Sequence, residues 1–231
     1  MLLEPIAFSS GGAIPAERSF VVALREATQA VGAVLIFDEV VTGLRLGRGG
    51  AATRFGVTPD LSCFGKAIGG GLPIAAFGGR SDLMEGGLGL DAGKSGRRIF
   101  QSGTFTGNAM AMAAGAVVLS IVAKEDPTMR LDALATRLRN GLDRLFAERG
   151  VPARTTGSAS IFQVHFTSAA PRNRREILGG DMAALHSFLL GLIAEGVLWT
   201  PVHPGLTCSA HTDRDIDEVL AAAARVINRL D

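Results

Sequence analysis

The sequence predicts an α/β fold, a mostly parallel sheet with covering helices, followed by a smaller α+β unit. Three observations point there. Residues 33–41 are an uninterrupted apolar run, the kind of strand that parallel sheets bury on both faces. Around it, short strand signals alternate with helical stretches through the first 123 residues. After that the pattern changes to leucine-striped helices interleaved with short strands, so the division is placed at 1–123 and 124–231.

Taken in order, residues 2–8 read as a short strand and Ser9-Ser10-Gly11-Gly12 as a loop. Residues 16–31 form an amphipathic helix with Phe20, Leu24 and Ala27 on one face, and Gly32 ends it. The strand over 33–41 follows, then strands over 61–64 and 74–78. The glycine-rich tract 86–96 reads as an exposed loop. A small-residue helix starts at Thr106 or Gly107 and runs to about residue 122; with so little side chain it must pack closely against a neighbour. Asp126-Pro127 reads as an N-cap with proline in the first helical position. The helix they open carries Leu131, Leu134, Leu138, Leu142 and Leu145 and stops at Gly150. Residues 160–166 form a strand, Asp181 opens a helix striped by Met182, Leu185, Phe188, Leu189 and Leu192, and 197–200 form another strand. Thr212-x-x-Asp215 is a capping box for the last helix, with Ile216, Val219, Leu220 and Ile227 inward.

Composition narrows the function. The 231 residues carry a net charge of +1 without a basic stripe, which gives no reason to expect nucleic acid or an anionic membrane. No apolar run is long enough to span a bilayer. Cys63 and Cys208 match no metal spacing and read as buried thiols of a reducing cytoplasm; the four histidines are scattered, so no metal site is expected.

The chemistry lies in two motifs. Val34-Leu35-Ile36-Phe37-Asp38-Glu39-Val40 puts a carboxylate at the carboxyl end of a buried strand, where open α/β sheets bind ligands. Phe64-Gly65-Lys66-Ala67-Ile68-Gly69-Gly70-Gly71 sets an amine among glycines. Only Lys66, Lys94 and Lys124 are lysines among 23 basic residues, and amine chemistry is something arginine cannot perform. A lysine that loses its proton attacks an aldehyde, and a carboxylate holds a pyridine nitrogen protonated so that the ring accepts electrons. Together they suit pyridoxal 5′-phosphate (PLP). Val40 shares the face of Asp38 and is placed to pack on the ring, while Glu39 faces away. Singly, each residue has a plainer reading: a strand-terminal Asp as a cap or ion pair, a glycine-flanked lysine as a solvated side chain, and 102–106 as an ordinary turn.

On these motifs the chain resembles the class III (omega-type) aminotransferases of PLP fold type I, most of all the branch around glutamate-1-semialdehyde 2,1-aminomutase. The matching stretches are Leu35-Ile36-Phe37-Asp38-Glu39-Val40-Val41-Thr42-Gly43, Phe55-Gly56-Val57-Thr58-Pro59-Asp60-Leu61, Gly65-Lys66-Ala67-Ile68-Gly69-Gly70-Gly71-Leu72-Pro73, Gln101-Ser102-Gly103-Thr104-Phe105-Thr106-Gly107-Asn108 and Ser209-Ala210-His211-Thr212. The resemblance covers essentially the whole chain. It implies that 1–123 is the C-terminal part of the PLP-binding large domain and 124–231 the small domain. It also implies amino transfer on an amino acid or amine, with a keto-acid or aldehyde acceptor, through aldimine formation at Lys66 and a 1,3-proton shift. Lys66 would be the Schiff-base lysine, Asp38 the partner of the ring nitrogen, and Val40 the ring contact. Gly103 and Thr104 would lie near the phosphate, Thr104 reaching it from the neighbouring subunit of a cytoplasmic homodimer.

Two departures stand against the family pattern. Family chains begin well upstream of the Glu-Pro motif represented here by Glu4-Pro5. The family's Ser/Gly-Thr phosphate loop, its ring-stacking aromatic and much of its substrate pocket therefore have no counterpart in this sequence. The expectation is a truncated product, a fragment or one piece of a split enzyme, with sheet edges and apolar faces exposed. Secondly, Pro201-Val202-His203-Pro204-Gly205-Leu206-Thr207-Cys208 replaces a Phe-Glu-Ala-Gly-like segment and offers no carboxylate, which favours a transaminase over the intramolecular aminomutase. His203 reads as a structural histidine on a loop.

Two rival readings fit parts of this pattern. Leu35-Ile36-Phe37-Asp38-Glu39 also reads as the acidic strand of a nucleotide hydrolase, but no P-loop accompanies it. Gly93-Lys94-Ser95 has Leu88 where the first glycine is needed, and Gly65-Lys66 is followed by Ala67. The other rival is an inactive remnant acting only as a subunit.

Overall fold

The computed structural model describes residues 1–8, 11–88, 103–201 and 203–230. Within them the chain forms two compact units: Met1–Pro5 with Glu17–Asp126, and Ile6–Ala16 with Pro127–Asp231. The first unit is built on a four-stranded sheet in the order β1 (Leu2–Leu3), β4 (Ile36–Glu39), β5 (Leu61–Phe64), β6 (Ala76–Gly79). β1, β4 and β5 are parallel and β6 closes the edge antiparallel. Helix α1 (Arg18–Ala30) leads into β4, and α2 (Gly50–Phe55) joins β4 to β5. After β6 come α3 (Ser81–Leu88), which takes the start of the expected 86–96 loop, and α4 (Ala109–Glu125). The rest of that loop, the Gly93-Lys94-Ser95 stretch, Gln101-Ser102 and Val202 lie outside the described residues.

The expected strand over 2–8 is two strands. Pro5 has no N–H to continue a ladder, and beyond it β2 (Ile6–Ala7) pairs antiparallel with β3 (Ile14–Pro15) in the second unit. This hairpin belongs there because the Thr156 hydroxyl donates to Gly12 O, and buried His165 lies with Nε2 3.1 Å from the same oxygen. The division expected at 1–123 and 124–231 puts this hairpin in the first unit instead.

Helix α1 buries Val21 and Thr28, and leaves Phe20 and Ala27 exposed. A polar anchor sets this rotation. Arg25, on the inward stripe with Val21 and Thr28, donates to Asp60 Oδ2 at 2.9 Å. Asp60 is buried and also accepts from Leu35 N–H (2.7 Å) and Arg80 Nη1 (2.9 Å). Burial by itself raises its carboxyl, but those three hydrogen bonds outweigh it and bring the pKa down to about 2. Gly32 ends α1 as expected, at φ +66.

Helix α4 starts later than expected. Gly107 is left-handed (φ +69), and Asn108 caps the helix by accepting Ala111 N–H at 3.0 Å. Asp126 is not an N-cap. It ends α4 in a left-handed conformation (φ +36) and pairs with Arg48 at 3.3 Å, and α5 (Thr128–Glu148) begins after Pro127. α4 leaves Met110, Met112, Val117, Leu119 and Ile121 exposed.

The second unit packs α5, α7 (Met182–Ala194) and α8 (Asp213–Ile227) over a sheet of β7 (Arg154–Ser158), β8 (Ile161–His165) and β9 (Gly205–Leu206), all antiparallel. A short helix α6 (Arg174–Leu178) precedes α7. The leucine stripe of α5 is inward as its spacing predicts. Phe146 stands in the core, edge-on to Phe166 and Phe188 at 5.8 and 5.5 Å. The Thr212–Asp215 capping box is formed. Residues 197–200 are not a strand: the Trp199 indole donates to His203 O and its ring meets Phe162 edge-on at 4.9 Å, while β9 takes the place beside β8. Cys208 is exposed, not buried, because the turn in which its N–H donates to His211 Nδ1 lies at the surface; Cys63 is half-buried.

Candidate active site

The site is built at the carboxyl edge of β4 and β5. Four apolar or acidic residues alternate along β4, so Phe37 and Glu39 are buried on one face while Ile36 and Asp38 are half-buried on the other. Asp38 Oδ1 accepts Val40 N–H at 3.1 Å, which holds the carboxylate against its own strand end. Its Oδ2 takes no hydrogen bond among the described residues. The ladder sets Asp38 opposite Cys63, whose thiol pKa is raised by burial and then by the Asp38 charge. The thiol therefore stays protonated beside the carboxylate.

Lys66 leaves the same edge. Glu39 pairs with Phe64, the last residue of β5, and Lys66 follows after Gly65. A Cβ on Gly65 would stand 3.3 Å from Val40 Cγ1, so glycine lets the lysine turn pass close against the end of β4. Lys66 is exposed and opens a 3₁₀ turn, Lys66–Gly69, with a left-handed backbone at φ +47. That conformation costs a non-glycine residue about 1–2 kcal/mol, and such strain concentrates at functional positions. The turn is backed by α4, the close neighbour its small residues called for. A Cβ on Gly115 would lie 3.2 Å from Ile68 O and 3.3 Å from Ile74 Cδ1.

A cavity of about 710 Å³ adjoins these elements. Val40, Cys63, Phe64 and Ile74 line one part of it, and Gly103, Thr104, Asn108 and Met112 another. Three of the residues expected from sequence, Val40, Gly103 and Thr104, thus meet in one lining within a single chain. Asp38 and Lys66 do not belong to that lining; they sit on the strand end and the turn next to it. The loop before α4 is ordered by Thr106 N–H donating to Gly103 O at 2.9 Å and Asn108 N–H to Phe105 O at 3.1 Å.

Sequence reasoning did not find Cys63 as the neighbour of Asp38, because the strand was legible but its register was not. His203 takes a structural setting in the second unit: Nδ1 lies 2.9 Å from Pro204 O and the ring stands edge-on to Phe8 at 5.0 Å. Among the described residues no three His, Cys, Asp or Glu side chains group as metal ligands, and no helix is long and apolar enough to cross a membrane.

Comparison with known proteins places these features in a family. The family described as "Aminotransferase class-III" matches residues 1–223. A glutamate-1-semialdehyde 2,1-aminomutase of Thermomicrobium roseum is 38% identical over 229 residues, which cover 98% of this chain and 52% of that protein. Among solved structures, an omega-transaminase from Sphaerobacter thermophilus superposes with a TM-score of 0.88 at 33% identity, covering 98% of this chain and 51% of its own. The FumI protein of Sphingopyxis sp. MTA144, in its PLP internal aldimine form, gives 0.81 at 28% identity, covering 99% and 51%. The chain therefore spans about half the length of the relatives it matches.

Proposed function

The chain belongs to the class-III aminotransferases, and from that premise we propose that it carries the lysine and the carboxylate of a PLP site for amino transfer. The substrates are an amino acid or amine and a keto acid or aldehyde. The observation that carries this reading is the common edge: Asp38 and Lys66 leave adjacent parallel strands side by side, with Gly65 packed against Val40. The residues present fit the cofactor, since among the described residues only Oδ1 of Asp38 is engaged and an apolar cavity adjoins it.

When bound, PLP supplies an electron sink for the carbon that loses its proton. Asp38 keeps the ring nitrogen protonated, the condition for that sink. Val40 supports the ring face. Lys66 would hold the cofactor through its aldehyde, and its Nζ, once free, would hold and move the proton during transfer. Gly103 and Thr104 offer backbone N–H and hydroxyl donors to the phosphate; in a homodimer Thr104 serves the neighbouring subunit. The 38% identity to an aminomutase supports intramolecular transfer as a second reading, against which stands the lack of a carboxylate in residues 201–208.

The test is an assay of the purified chain with PLP and amino donors, with and without an external keto acid. Turnover that requires the external acceptor supports the transaminase, and turnover without one supports the mutase. Lys66→Ala should lower either by at least about a thousandfold. Turnover indifferent to that change would remove Lys66 from the account.

A further inference from the structure

We propose that Glu39 is a positioning residue of this site: its buried carboxylate anchors the segment leaving β4 and so fixes where Val40 and Asp38 stand. The inference rests on the cofactor reading above and adds a residue that need not touch the cofactor. Glu39 is only 2% exposed and lies on the face of β4 opposite Asp38. Its Oε2 accepts Ala51 N–H at 2.7 Å, and its backbone oxygen accepts Gly43 N–H at 2.9 Å. The intervening chain, residues 40–50, is therefore tied to one residue at both ends.

Glycines make the tie possible. Gly50 is left-handed (φ +56), and a methyl group there would collide with Glu39 Oε2. At Gly43 a Cβ would come within 2.7 Å of the Phe64 ring and 2.8 Å of the Glu39 carbonyl oxygen. The link to the site is Val40, whose N–H holds Asp38 Oδ1 and whose side chain meets Gly65 of the lysine turn. Slack in the segment would loosen both contacts. Burial raises the Glu39 pKa and the Ala51 N–H opposes this; what the anchor uses is an acceptor oxygen at Oε2. Glutamine offers the same acceptor.

The test compares the wild-type chain with Glu39→Gln, Glu39→Leu and Gly50→Ala. Without PLP, amide hydrogen exchange over residues 40–51 reads the anchor directly. Glu39→Gln should keep wild-type protection, while Glu39→Leu and Gly50→Ala lose about tenfold, the scale of one lost hydrogen bond to a charged or buried partner. With PLP, the same two variants should bind it about tenfold more weakly. The pH at which its visible band changes should also shift, since a displaced Asp38 holds the ring proton less well; Glu39→Gln should restore both. Wild-type protection in Glu39→Leu overturns the anchor. Lost protection with wild-type PLP affinity and pH profile overturns the positioning role. If Glu39→Leu fails to fold, Gly50→Ala decides by the same readouts with Glu39 in place. Failure of the wild type itself to take up PLP would count against the cofactor reading, while the exchange measurement still decides the anchor.

Discussion

His165 on β8 is 3% exposed, with Nε2 2.8 Å from Thr156 Oγ1 and 3.1 Å from Gly12 O. Burial lowers its pKa, and the Gly12 carbonyl opposes that only in part. The sign follows from linkage. The unfolded chain takes up a proton at about pH 6.5 that the folded chain resists. Stability from this residue is therefore complete above that pH and declines as pH falls through it. Urea midpoints should drop between about pH 7.5 and 5.5, and His165→Gln should flatten the slope; an unchanged slope in the variant would contradict the assignment. Little of this was legible. The hydrogen bond joins residues 153 positions apart, just as Asp60 finds Arg25 and Arg80 at separations of 35 and 20. The places of Asp38 on β4 and of Lys66 just after β5 were legible, because an apolar strand is a purely local signal.

At the scale of elements, long periodic helices were readable, and short or polar strands were not. The stripe of α5 and the capping box of α8 need only local spacing. β7 escaped because Arg154-Thr155-Thr156-Gly157-Ser158 has neither apolar alternation nor a turn signal after it. The connection to β8 is a two-residue turn whose first residue, Ala159, is left-handed at φ +51, where glycine or asparagine is the usual choice. Arg139 donates to Ala159 O and Ile161 O across this turn at 3.2 and 3.3 Å. Ala159→Gly should accordingly stabilise the fold by about 0.5–1 kcal/mol in a denaturant titration. A loss of stability would show that the Ala159 side chain contributes packing that outweighs the backbone cost. The rotation of α1 was misread for a related reason. A polar anchor, Arg25 to Asp60, sets which face turns inward, and hydrophobic periodicity is blind to it.

At the scale of the molecule, the change from α/β to α+β was visible in composition and periodicity. The crossing of the β2–β3 hairpin into the second unit was not, because no local pattern tells one unit's strand from the other's. The first unit leaves most of α4 exposed apart from the stripe of Ala111 and Gly115, and among the described residues its sheet ends at β1 and β6. The central claim concerns that unit alone: the β4 carboxylate and the amine after β5 serve one PLP ring. The most direct test adds PLP to the purified chain, reduces with borohydride, and maps the pyridoxyl group over Lys66, Lys94 and Lys124. The account predicts about one label per chain, on Lys66, and its loss in Lys66→Ala. Labelling spread evenly over the three lysines, or absent from Lys66, would contradict it.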